Sequence, residues 1–148
     1  MLKWFKPDIN TKFHIDFAWW EKEGRDLRVH LWSHLCPDCR RIYTTHRGTE
    51  AIDWVDPETA EVRQVDGLWH SLRTCCSQRP DYITESTPLL EAIFRVFLAN
   101  GNEPLSPVEL HQILGRRSPE VILRTLAGRK IYKGIRPVRE DGPGRRSG

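Results

Sequence analysis

Apolar residues recur along the chain in two rhythms, and the rhythm changes near residue 87. In the first stretch, KFHIDFAWW and DLRVHLWSHL are rich in aromatic and branched residues, with the polar turn EKEGRD between them. Alternation of this kind predicts a β-hairpin. Its second strand would place His30, Trp32, His34 and Cys36 on one face, with Val29, Leu31 and Leu35 on the other. AIDWV and EVRQV, separated by the turn-forming DPET, predict a second hairpin. After Gly67, the spacing of Leu68, Leu72, Cys75 and Cys76 is helical, which puts a cysteine pair near the end of a short helix. Beyond residue 87 the rhythm is helical throughout. Leu89, Leu90, Ile93, Phe94, Phe97 and Leu98 form one stripe, started by Thr87-Pro88 and stopped by Asn100-Gly101. Ser106, Pro107 and Glu109 spell a capping box whose helix ends at Gly115, and Ser118-Pro119 opens another that closes at Gly128. RKIYKGIRPV then predicts two short strands about a tight turn, followed by the Gly, Pro and charge of REDGPGRRSG.

The expectation is an α+β protein in two modules with a tail. Residues 1–86 form a β-rich Cys/Trp module, 87–138 a three-helix module with a terminal hairpin, and 139–148 a flexible basic tail. Composition agrees with the division. All six Trp and all four Cys lie in the first module. The net charge of +3 separates into −2 for residues 1–86 and +5 for 87–148, so the second module is the one suited to an anionic partner. A hydrophobic fraction of 39% and a charged fraction of 29% exclude a disordered chain. No apolar run has membrane-spanning length, and the N-terminus lacks a signal-peptide pattern, so a cytoplasmic location without membrane association is expected.

Stable disulfides are uncommon in a reducing compartment, which turns attention to other uses of the four thiols. In HLWSHLCPDCRR the Cys-x2-Cys spacing of Cys36 and Cys39 brings two sulfurs to one cation, as half of a tetrahedral zinc site. Cys75 and Cys76 would complete it, although helical neighbours point ~100° apart and both reach one ion only where the helix frays. His34 is the substitute ligand if they cannot, ahead of His30, His46 and His70. An iron–sulfur cluster is the minor alternative, and small buried thiols without metal the plain one. The CPDC run also resembles the CPYC site of glutaredoxins, a resemblance that implies a nucleophilic first cysteine at a helix N-terminus. A catalytic zinc would need an open position and a nearby acid or base. Glu50, Asp53, Asp56 and His46 follow the motif, but beside turns where solvated carboxylates are ordinary. No catalytic residue is assigned and a non-enzymatic protein is expected.

Three capped helices followed by a hairpin resemble a winged helix, the helix-turn-helix variant with a strand wing, over residues 87–138. The resemblance implies that the helix from Pro119 occupies the recognition position and that RKIYKGIRPV is the wing. Arg116 and Arg117 before that helix, Arg124 and Thr125 on it, and Arg129, Lys130, Lys133 and Arg136 after it are then the candidates for contact with duplex DNA. The resulting expectation is a zinc-stabilised transcription regulator, possible as a homodimer, with the Trp-rich module open to a protein partner. The alternative is a subunit of a larger assembly in which both modules bind protein. An iron–sulfur sensor and a thiol redox enzyme rank below these.

Overall fold

A computed structural model describes residues 6–138. Strand β1 (Phe13–Ile15) is followed by helices α1 (Phe17–Lys22), α2 (Leu27–Ser33) and α3 (Pro37–Ile42). The hairpin β2 (Ile52–Val55) and β3 (Val62–Val65) leads into α4 (Gly67–Thr74) and a 3-10 turn at Cys76–Gln78. Helices α5 (Leu89–Ala99), α6 (Pro107–Leu114) and α7 (Pro119–Leu126) precede the last strand, β4 (Ile135–Pro137). The class is mixed helix and strand, with two small sheets among the described residues.

The first expected hairpin is not formed. Only Phe13–Ile15 is extended, and both runs continue as helices. Aspartates decide it. Asp16 and Asp26 each sit in an extended conformation and accept a hydrogen bond from the backbone two residues on, at Ala18 and Arg28. Those are N-caps, and they start helices that strand-like composition alone would not predict. Leu27, Leu31 and Leu35, four apart, then supply a helical stripe with Leu31 and Leu35 buried. His30, Trp32, His34 and Cys36 therefore do not share a strand face.

The second hairpin forms as expected, pairing Ile52 with Val65, Trp54 with Arg63 and Val55 with Val62. Asp56 closes its loop by accepting from the Glu58 backbone at 2.8 Å. Asp66 caps α4, and the helix ends at the cysteine pair. In the later stretch the start and stop signals are used almost residue for residue. Ser106 and Glu109 make both bonds of the capping box, Gly115 ends α6 at φ 70°, and Ser118 caps α7. Pro88 rather than Thr87 occupies the cap position of α5.

The expected two-stranded wing is also replaced. Residues 129–134 are irregular, and β4 pairs antiparallel with β1, matching Phe13 to Pro137 and Ile15 to Ile135. Leu105 bridges the opposite edge of β1 through two backbone bonds to Phe13, at 2.8 and 3.0 Å. The cause is the turn at Lys133-Gly134, both at positive φ. There the Gly134 carbonyl accepts from Asp16 N at 2.7 Å, and the Lys133 carbonyl accepts from Trp20 Nε1 at 3.0 Å. A Cβ on Gly134 would lie 2.7 Å from Trp20 Nε1, so only glycine allows the approach.

These links tie the beginning of the chain to its end. One buried cluster contains Phe13, Ile15, Trp20, Leu31, Leu68 and Leu72 together with Ile93, Phe94, Phe97, Leu110, Ile122 and Ile135. The core thus runs across the expected boundary at 86/87. The expected basic tail lies outside the described residues. Among these residues no helix is long and apolar enough to cross a membrane.

Candidate metal centre

Cys36 is the N-cap residue of α3, extended at φ −71° and ψ 164°, with Pro37 in the first helical position. Cys39 lies three residues on, so one tight turn carries both thiols. The Arg40 backbone N–H donates to the Cys36 carbonyl at 3.0 Å, which holds that turn. The second pair meets it from the end of α4. Regular helix stops at Thr74, Cys75 leaves it at φ −124° and ψ −64°, and Cys76 opens the 3-10 turn. This break removes the ~100° divergence that an unbroken helix would impose on adjacent side chains. All four Sγ atoms lie within 4.8 Å of one another. Cys36, Cys39 and Cys76 are buried, Cys75 is exposed, and all four are free thiols.

Four thiols this close form a set that could hold a metal ion. Burial alone would raise the Cys36 thiol, but the Cys39 backbone N–H and the neighbouring cysteines outweigh it and bring it down to about 7. Burial holds Cys39 well above the ordinary thiol range and pushes Cys76 up to about 11. Without a cation, then, Cys36 sheds its proton more readily than a free thiol, whereas Cys39 and Cys76 hold theirs. A divalent cation reverses that balance, because thiolates are its ligands and protons its competitors. The backbone N–H of Cys36 already donates to Cys76 Sγ at 3.2 Å.

His34 sits beside this group rather than in it. It is buried at the end of α2, its Nδ1 accepts from Arg95 Nε at 3.1 Å, and its ring lies 5.4 Å from that of Phe94. Burial, then the nearby Arg95, lowers its pKa to about 3, so the ring is neutral. The other histidines are elsewhere: His30 against Trp20 at 4.8 Å, His70 against Trp54 at 4.9 Å, and His46 facing Asp26 at 3.5 Å. The acids after the motif serve local structure, since Glu50 pairs with Arg28 and Asp53 accepts from Gln64. A cavity of about 160 Å³ adjoins the thiols, lined in part by His34, Cys36, Cys76, Arg79, Tyr82 and Arg95. Sequence patterns did not single out Arg79, Tyr82 or Arg95. Tyr82 donates its hydroxyl to the Arg95 carbonyl at 2.7 Å, and Arg95 Nη1 donates to the Tyr82 carbonyl at 2.5 Å, a reciprocal lock invisible to periodicity.

Comparison with family models, with curated proteins and with solved structures found no match to this chain.

The eight basic-module candidates divide evenly. Arg116 donates to the carbonyls of Glu85 and Thr87, and Thr125 Oγ1 to the Val121 carbonyl. Lys133 Nζ lies 5.2 Å from the Phe94 ring centroid and 5.3 Å from that of Tyr132, and Arg136 faces Asp16 at 3.5 Å. Arg117, Arg124, Arg129 and Lys130 are exposed, and their side chains make no hydrogen bond or ion pair with the described residues. Of the tryptophans, Trp20 is buried, while Trp19, Trp32, Trp54 and Trp69 are half-buried. Arginines cover three of these half-buried rings: Arg25 over Trp19, Arg40 over Trp32 and Arg63 over Trp54.

Proposed function

We propose that the chain is a non-enzymatic binding protein stabilised by one structural zinc ion on Cys36, Cys39, Cys75 and Cys76, and that it contacts duplex DNA through the exposed cations around α7. The convergence of the four Sγ atoms within 4.8 Å carries the zinc reading. Zinc–sulfur bonds of ~2.3 Å place the corners of a tetrahedral site about 3.8 Å apart, within reach of that spacing. An iron–sulfur cluster interposes several iron and sulfide atoms and holds its thiolates further apart. Four protein ligands leave no open position for substrate, which supports a structural over a catalytic ion. Zinc would join the start of α3 to the end of α4 and stiffen a region with little aliphatic core.

The DNA reading is supported by Arg117, Arg124, Arg129 and Lys130, which surround the helix that follows the α6–α7 turn and are free for phosphate. Val121, Ile122, Leu123 and Leu126 leave α7 few groups for base edges, so backbone contact dominates. A second reading, docking to a protein, is favoured by exposed Phe17, Val29 and Ile42 and by the arginine-covered tryptophans. Two measurements decide. Elemental analysis of purified protein is expected to give one zinc per chain and no visible absorption; a brown protein overturns the zinc assignment. Titration with random duplex is expected to show micromolar binding that weakens steeply with salt. Changing Arg124, Arg129 and Lys130 to Gln is expected to reduce the salt slope by about 0.9 for each phosphate no longer neutralised. Absence of binding at about 50 mM salt removes the DNA reading and leaves the docking one.

A further inference from the structure

A cation held by four thiolates keeps a net negative charge, and burying that charge is costly unless donors surround the sulfurs. Arg79 is placed to supply one. It follows the 3-10 turn of Cys76, and its backbone N–H donates to the Cys76 carbonyl at 3.2 Å. Its side chain lines the same cavity as Cys36 and Cys76. Its Nε is buried yet has no hydrogen-bond acceptor among the described residues. Such a donor is rare in a folded protein and calls for a specific cause. Of the two nearby carboxylates, Asp38 accepts a long hydrogen bond from Nη1 at 3.5 Å, while Asp81 lies 3.5 Å from Nε without making one. Both are largely exposed, at 63% and 74%, so water screens their charge. Arg95 lines the cavity too, but its Nε is committed to His34 and its Nη1 to the Tyr82 carbonyl, and Glu91 lies 3.6 Å from its Nε. A protonated thiol is a poor acceptor for Nε–H, whereas a thiolate is a charged one.

We infer that Arg79 is a positioning residue of the thiolate centre, whose buried Nε–H and charge act on the sulfurs of Cys36 and Cys76 when these are deprotonated around a divalent cation. Asp38 and Asp81 steer the guanidinium over the cavity. The inference rests on the zinc reading and names what tunes that site: Arg79 offsets the thiolate charge and raises metal affinity.

The test compares full-length wild type, R79Q, R79K and, as a control for net charge, R47Q, at an exposed arginine outside both proposed sites. Zinc affinity is read by competition with a chromophoric chelator, and the cobalt-loaded forms by their sulfur-to-cobalt charge-transfer band. R79Q is expected to bind zinc about tenfold more weakly, in the range of other outer-partner losses. Its charge-transfer band moves to lower energy, because the sulfur electrons lose a stabilising donor. R79K restores the charge and recovers most of the affinity, while R47Q matches wild type. A role in folding alone would shift neither the band nor the R79K rescue. Equal affinity in wild type and R79Q, or an R79K as weak as R79Q, overturns the inference while leaving the zinc reading intact. A wild type that binds no divalent metal overturns both, and shows itself before any variant is measured.

Discussion

Between Leu89 and Leu126 the chain buries Ala92, Ile93, Phe94, Val96, Phe97, Leu98, Leu110, Ile122 and Leu126. Between Leu27 and Gln78 it buries Leu31, Leu35, Leu68 and Leu72, and the remaining buried apolar positions are Cys36, Cys39 and Cys76. The first region closes on hydrocarbon, with every helix started or stopped by a residue suited to the task. The second is longer, has less aliphatic side chain to bury, and directs its buried thiols to one point. Hydrocarbon packing is additive over many small contacts. The metal centre proposed for those thiols would concentrate stability in a few bonds, so that losing one ligand would lose most of it. The two regions should therefore fail in different ways.

Cys39→Ser is expected to have the largest effect, abolishing stoichiometric metal binding and costing more than about 4 kcal/mol, read by metal content and thermal unfolding together. If the variant keeps one metal per chain, the contrast between the regions collapses. Phe97→Ala, in the hydrocarbon region, is expected to cost about 3–5 kcal/mol and to leave metal stoichiometry unchanged. Gly134→Ala tests the seam, since a methyl group there meets Trp20 Nε1 at 2.7 Å in a left-handed backbone at φ 80°. A loss of about 1–3 kcal/mol is expected, with faster amide exchange at Asp16 and Ile135 as the local signature. The smallest effect concerns Glu109, whose carboxyl is held below its ordinary range by Lys12 and then by the Ser106 backbone. Its unfolded form takes up protons first as pH falls. The stability it adds is present above the ordinary glutamate range and is lost as pH drops through the lowered value. E109Q is expected to flatten that part of the stability profile, with a loss under about 1 kcal/mol at neutral pH.

Helices α5 to α7 were legible because their signals are local. Ser106, Pro107 and Glu109 specify a helix start within four residues, and Gly115 specifies its stop. The hairpin β2–β3 and the helix leading to Cys75 were legible for the same reason. Helices α1 and α2 were misread because aromatic and branched residues dominate both runs, while the aspartate caps and the four-residue leucine spacing argue more quietly. The wing was misread because β1 and β4, more than a hundred residues apart, pair with each other, and no local pattern encodes such a partner. The thiols were identified as candidates from Cys-x2-Cys alone. What the pattern left open was the second pair, since an unbroken helix would have sent Cys75 and Cys76 in different directions.

Residue order alone was enough for the capped helices of the later region, the second hairpin and the four cysteines as the residues to watch. These follow from side-chain chemistry acting over a few residues of backbone. It took the folded chain to place β1 between Leu105 and β4, to carry the core across residue 87, and to set His34 against Arg95 while all four sulfurs meet. Those outcomes depend on close approaches between distant parts of the chain, Gly134 against Trp20 and Cys36 against Cys76, whose geometry exists only once the core has formed.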